Sequence, residues 1–227
     1  MYYYLLLVVP ALLIASWAQY KVKSTFKKYS AYMTGSGMDG AEASRVIQRA
    51  NGITVPIEQV SGELPDHCDP KSDVIRLSAP VHSVNSVAAI GVAAHETGHA
   101  LQYAYGYTPI RLRMAMVPVT NFSASISPYL ILFGIIAGYD LLAYIGIALF
   151  SVSVLFQLVT LPVEFNASHR AVVALEECGR FSKDELKGVK KVLSAAAMTY
   201  VAALFVSLMN LLRLVLIVSN RNNRRGR

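Results

Sequence analysis

His95-Glu96-Thr97-Gly98-His99 is a stretch of this chain whose residue types and spacing spell out a reaction. In H-E-x-x-H, a separation of four residues on an α-helix puts both imidazoles on one face, where they can grip a single Zn²⁺. The intervening carboxylate then points at the water to be activated, as a general base. Such a centre performs hydrolysis. With five His and eight Glu among 227 residues, random ordering yields the pattern in roughly 4 of every 1000 such chains, so chance explains it poorly.

Two His leave a catalytic zinc incomplete, because such sites use three protein ligands and keep a fourth position open. The donors that follow the motif are Asp140, Glu164, His169, Glu176, Glu177, Asp184 and Glu185. The pairs Glu176-Glu177 and Asp184-Glu185 lie among charged residues with turn and capping character, where a solvated face accounts for them. Glu164 is different. It sits in the apolar stretch Leu161-Pro162-Val163-Glu164-Phe165 at an expected membrane boundary, where an unpaired carboxylate is expensive and a metal would satisfy it. His67 reads as a loop histidine and His82 as a residue just before a helix. Cys68 and Cys178, far apart and without metal-ligand spacing, read as free thiols.

The elements that must hold these residues are set by composition. Hydrophobic residues make up 54% of the chain and charged residues 15%, and the mean hydropathy of +0.43 is that of an integral membrane protein. The net charge of +7 does not signal nucleic acid. Lys and Arg gather at the edges of apolar runs, where they set orientation, instead of forming a basic stripe interleaved with aromatics.

Residues 1–20 form a first transmembrane helix. A signal peptide is the competing reading, but the positive charges follow the apolar run and Trp17 and Tyr20 resemble interface anchors. Residues 21–113 are a basic linker and the first part of a catalytic domain; Lys21, Lys23, Lys27 and Lys28 place this end in the cytoplasm and Met1 outside. Here Asp39 caps a short helix that ends at Asn51-Gly52, and β-branched runs predict strands at 53–60 and 73–78. Ser83 is placed to cap the motif helix, which runs to about Tyr105. Residues 114–161 form a transmembrane hairpin turning at Gly138-Tyr139-Asp140, which puts Asp140 across the bilayer from the motif.

Residues 162–191 complete the catalytic part, with Pro162 opening the helix of Glu164 and Ser182-Lys183-Asp184-Glu185 a capping box. Residues 192–219 make a fourth span. The basic tail 220–227 would then lie outside, against the positive-inside rule, and Arg213 sits inside the apolar run; a bend, or a segment lying along the membrane, would relieve both.

His95-Glu96-Thr97-Gly98-His99-Ala100-Leu101-Gln102, followed by Glu164-Phe165-Asn166-Ala167-Ser168-His169-Arg170-Ala171, resembles the neutral zinc metallopeptidase family of bacterial membrane proteins, the YugP-like membrane zinc peptidases. Gly37-Met38 with Gly40-Ala41-Glu42, Asp66-His67 with Asp69-Pro70, and Leu77-Ser78 extend the likeness over nearly the whole chain. It is more distantly similar to the HtpX and Ste24-type gluzincins, in which a Glu opening an E-x-x-A-D segment is the third ligand. That resemblance implies Glu164 as the ligand. The chain departs from the pattern where Ser168 stands in place of Asp and Asn166 in place of an acid, so Asn and Ser oxygens would have to receive the imidazole N–H.

The expected fold is a mainly α integral membrane protein of about four transmembrane helices with a small α+β zincin-like (gluzincin) catalytic domain. The expected function is that of a zinc-dependent metallopeptidase, an endopeptidase of the bacterial plasma membrane whose site faces the cytoplasm. It would cleave membrane or membrane-proximal proteins with His95, His99 and Glu164 on Zn²⁺ and Glu96 as general base of a zinc-activated water. Asn166, Ser168, His169, Arg170 and a tyrosine between Tyr103 and Tyr107 are candidates for supporting the ligands or the oxyanion. The strand 74–78 is a candidate for edge-on pairing with an extended substrate. Partners are thus a protein or peptide substrate and the lipid bilayer, with no nucleic acid; a regulatory membrane protein or an oligomer is unspecified. Two alternatives are an intramembrane protease of the site-2 type, for which no N-P-D-G or L-D-G segment is present, and a non-catalytic zinc scaffold, for which Glu96 would have no use.

Overall fold

The computed structural model describes residues 2–61 and 66–225. The turn residues Gly62 and Pro65 lie outside that range. In chain order the elements are a π-helical turn at Tyr4–Val8, α1 (Val9–Ser30), α2 (Gly40–Ala50), β1 (Ile57–Val60), β2 (His67–Asp69), β3 (Val74–Ser78), α3 (Ala79–His82), α4 (Val87–Ala104), α5 (Thr108–Ala137), α6 (Asp140–Glu177) and α7 (Lys183–Arg225). The molecule is mainly helical. Among the described residues, four helices are long and apolar enough to cross a membrane: Tyr4–Ser30, Thr108–Ala137, Asp140–Glu177 and Lys183–Arg221. The chain divides into two compact units.

The first unit comprises Met1–Gln19, Leu112–Leu161 and Thr199–Arg227. Many of its large apolar side chains face outward, including Leu13 at 66%, Ile136 at 74% and Leu141 at 73% exposure, as lipid-facing residues do. Inside, Ile131, Ala143, Ile147 and Val218 pack together with Leu211 and Leu214. The hairpin of α5 and α6 turns at Gly138, whose φ of 82° is one that a Cβ disfavours. Arg221 lies against this turn, with Nε 4.0 Å from Asp140 Oδ1 and a guanidinium N–H donated to the Ile135 carbonyl. Asn220 reaches the Tyr3 hydroxyl and the Arg213 guanidinium stacks 4.9 Å above the Tyr4 ring. The last apolar segment carries on from the helix that the capping box starts. It is one continuous helix from Lys183, whose end is tied to the hairpin turn and the chain's beginning, and Arg213 meets an aromatic face within it.

The second unit comprises Tyr20–Arg111 and Pro162–Met198 and contains the H-E-x-x-H motif. Its organising element is α4. On one side Ala43 and Ile47 of α2, Ala171, Ala174 and Leu175 of α6, and Val189 and Leu193 of α7 enclose Val87, Ile90, Ala94 and Leu101. On the other, Ile75 and Leu77 of β3 with Val81 of α3 cover Ala93 and Ala100. This enclosure explains why α4 is apolar nearly all round: protein, on both sides, takes up its apolar surface.

Local signals set most boundaries here. Asp39 Oδ1 accepts the Glu42 amide at 2.7 Å, and the Ser182-to-Glu185 capping box closes reciprocally, Ser182 N donating to Glu185 Oε2 and Glu185 N to Ser182 Oγ. The cap of α4 differs from expectation. Ser86, whose Oγ accepts the Ala89 amide at 3.2 Å, starts the helix, and Ser83 only closes the short α3. Pro162 does not open a helix either; it lies inside the 38 residues of α6, where proline costs a single intrahelical N–H and a long helix continues through it.

The sheet holds a strand that the turn residues concealed. His67, Cys68 and Asp69 form β2, and the order β1-β3-β2 makes β3 the central strand, parallel to β1 (Ile57↔Ile75) and antiparallel to β2 (Cys68↔Ile75). Residues 74–78 therefore offer no free edge for a substrate, which corrects the expectation above; the edges belong to β1 and β2. Asp69 folds the connecting turn by accepting the Lys71 amide and the Ser72 hydroxyl, and it pairs with Arg76 at 2.8 Å.

Candidate metal centre

The motif's spacing on α4 delivers what helix geometry demands. His95 and His99 lie one turn apart with ring centroids 4.7 Å from each other, both imidazoles on the side that meets α6. Two small residues let the helices come this close. A Cβ on Gly98 would sit 2.5 Å from the Ala167 carbonyl oxygen, so only glycine fits, and Ala167 is fully buried opposite it. Beside this contact α6 presents Glu164, 2% exposed, with Oε2 3.3 Å from His95 Nε2 and 3.7 Å from His99 Nε2.

These three donor atoms lie within 4.8 Å of one another, as a metal-binding set must. Ligands on a tetrahedron with bonds of 2.0–2.1 Å are separated by about 3.3 Å, so the observed spacing and the donor types, two imidazole nitrogens and one carboxylate oxygen, fit a zinc-sized ion. Asp140 belongs to the hairpin turn of the other unit, and Glu176, Glu177, Asp184 and Glu185 are not in the group.

Glu96 is buried next to the trio. Its Oε2 accepts the backbone N–H of Cys68 at 3.0 Å, so edge strand β2 fixes the carboxylate's orientation. Burial pushes the Glu96 carboxyl above the usual range for an acid, with the two imidazoles opposing that shift and the Glu164 charge adding to it. A carboxylate desolvated in this way holds a proton more tightly, which suits a general base. Cys68 reaches the site through its amide. Its thiol, pushed up to about 12 first by burial and then by the Glu96 charge, lines a neighbouring cavity of 460 Å³ with Val55, Ala100 and Tyr103.

The remaining candidates separate. Ser168 Oγ is 3.1 Å from His95 Nδ1. Asn166 touches neither imidazole: its Oδ1 accepts from Gln102 Nε2 at 3.0 Å and from Arg170 Nε at 2.8 Å. Arg170 lies over the rings of Tyr105 and Tyr107, and His169 is exposed, lining a 340 Å³ apolar cavity with Phe165, Val172, Leu193 and Met198. Sequence reasoning missed Gln102, whose Oε1 is 3.0 Å from His99 Nδ1. Its signal was available: a polar side chain three residues after a candidate ligand histidine, on the same helical face.

A mainly helical chain with four potential membrane spans, in which an H-E-x-x-H helix meets a buried glutamate, defines a class of membrane metallopeptidase-like proteins. Residues 4–219 match the family described as "putative neutral zinc metallopeptidase", and the chain belongs to that family. It is 50% identical over 218 residues, 96% of this chain and 97% of the relative, to a Bacillus subtilis (strain 168) protein named "putative membrane protease YugP". No solved structure matches the chain.

Proposed function

We propose that this chain is a membrane-embedded zinc endopeptidase of the gluzincin type, with a zincin-like catalytic domain built around α4. One observation carries the proposal: His95, His99 and Glu164 converge at zinc-ligand spacing beside a buried Glu96 held by the Cys68 amide. The names of the family and of the relative agree with it.

His95 and His99 would hold Zn²⁺ through Nε2, and Glu164 through a carboxylate oxygen. When bound, the ion supplies Lewis acidity, lowering the pKa of water toward ~7 and polarising the scissile carbonyl. Glu96 takes the proton of the attacking water and returns it to the leaving amine, and the Cys68 N–H keeps the carboxylate aimed throughout. Ser168 orients His95 from behind, at Nδ1. The 460 Å³ cavity between β2 and α4 has room for a substrate side chain.

The substrates are membrane or membrane-proximal proteins, and the site faces the cytoplasm of a bacterial plasma membrane. The Lys21 to Lys28 cluster after the first apolar helix supports this orientation. Helix α4 is not one of the four helices long and apolar enough to span, which favours this reading over a site-2-type protease. A zinc scaffold would have no need of Glu96.

The test is metal analysis of the purified full-length protein together with comparative proteomics of membranes expressing wild type or Glu96→Gln. About one zinc per chain and substrates that accumulate only in the variant are expected. A protein without zinc, or membranes whose proteomes do not differ, would sink the proposal.

A further inference from the structure

A chain of side-chain amides runs behind His99, and its polarity is set from one end. Arg170, packed against Tyr105 and Tyr107, donates Nε–H to Asn166 Oδ1 at 2.8 Å. A guanidinium has donors only, so Asn166 must turn its oxygen toward Arg170. That oxygen and the Val163 carbonyl are both acceptors, and both face the side-chain amide of fully buried Gln102, at 3.0 and 2.8 Å. Gln102 must therefore present its NH₂, since its oxygen there would bring three acceptors together with no proton between them. The Gln102 oxygen is left facing His99 Nδ1 at 3.0 Å. Only an imidazole protonated at Nδ1 satisfies it, and such an imidazole offers its Nε2 lone pair toward Glu164.

We infer that Gln102 is a positioning residue for the metal: it selects the His99 tautomer that ligates through Nε2 and clamps the turn that carries Glu164. The second effect follows from where its NH₂ is anchored, on Val163 and Asn166, which flank Glu164 in the chain. One side chain thus ties the second ligand to the third across two helices. The inference rests on the metal reading above and adds to it a residue that touches no metal.

Zn²⁺ affinity of the full-length protein in detergent micelles, measured by competition with a chromogenic chelator, tests it. Gln102→Leu removes the acceptor and the clamp, and affinity should fall roughly 10- to 100-fold. Gln102→Glu, a neutral acid in this buried position, keeps an acceptor for His99 and an O–H for Val163 or Asn166, and should bind close to wild type. An unchanged constant for Gln102→Leu would overturn the inference, and so would equal losses in both variants, which would locate the effect in helix packing.

Should Gln102→Leu fail to fold, the wild type decides. Nitrogen NMR of the histidine-labelled, zinc-loaded protein should show His99 protonated at Nδ1, and protonation at Nε2 would overturn the inference. A wild type that takes up no Zn²⁺ overturns the metal reading and this inference together, whereas wild-type binding with an unchanged Gln102→Leu constant overturns this inference alone.

Discussion

Glu164 Oε2 lies 3.3 Å from His95 Nε2, although the two residues belong to different helices, α6 and α4, with all of α5 and the first part of α6 between them in the chain. The carboxylate is 2% exposed, so its charge is largely cut off from water and depends on what the two imidazoles hold with it. Glu164→Ala should therefore lower Zn²⁺ affinity by more than the roughly 10- to 100-fold expected of an outer-shell residue. Metal content measured after dialysis against a weak chelator checks this, and full occupancy in the variant would show that Glu164 is not a ligand.

Glu96→Gln keeps the shape and leaves an amide oxygen to accept the Cys68 N–H. The metal should stay bound while hydrolysis falls by at least about a hundred- to ten-thousandfold, the usual worth of a positioned general base. Parallel zinc analysis and a peptide-cleavage assay separate the two effects. Loss of metal in this variant would argue that Glu96 supports the centre structurally.

Gly98→Ala places a Cβ 2.5 Å from the Ala167 carbonyl, a backbone atom that cannot rotate away. The two ligand-bearing helices must separate, at a cost of about 1–3 kcal/mol. A lower thermal midpoint, accompanied by weaker Zn²⁺ binding, is the expected result. A wild-type midpoint would mean that α4 and α6 can move apart freely.

The Cys68 thiol, whose usual value of 9.0 is pushed up to about 12, should resist alkylation. The direction is that of a buried acid: the folded state favours the protonated thiol, so below pH 12 little thiolate is available to react. At pH 8 the thiolate population is about a thousandfold below that of an unperturbed thiol. In a Cys178→Ser background, iodoacetamide labelling should be slow until the chain is unfolded in SDS, then rapid. Fast labelling of the folded protein would contradict the raised thiol.

The candidate metal-binding pair and the candidate base were legible in the sequence because a helix converts a spacing of four into a shared face without help from any other part of the chain. The same holds for the four candidate spans, which length and hydropathy define, and for the Asp39 and Ser182 caps, which are local hydrogen bonds. Glu164 stood out as a carboxylate within an apolar run, but its approach to the histidines depends on how α6 packs against α4, and hence on Gly98 and Ala167 meeting.

What the tertiary structure alone decided is everything that long-range packing brings together. Strand β2 consists of three residues that read as turn, and it exists because β3 supplies its hydrogen bonds. Its middle residue, Cys68, meets Glu96 through a backbone N–H, a group that every residue but proline carries and that no side-chain pattern reveals. Gln102 was visible as a polar residue on an apolar helix. That it faces His99 on one side and the Glu164 turn on the other follows only from two helices crossing at one place.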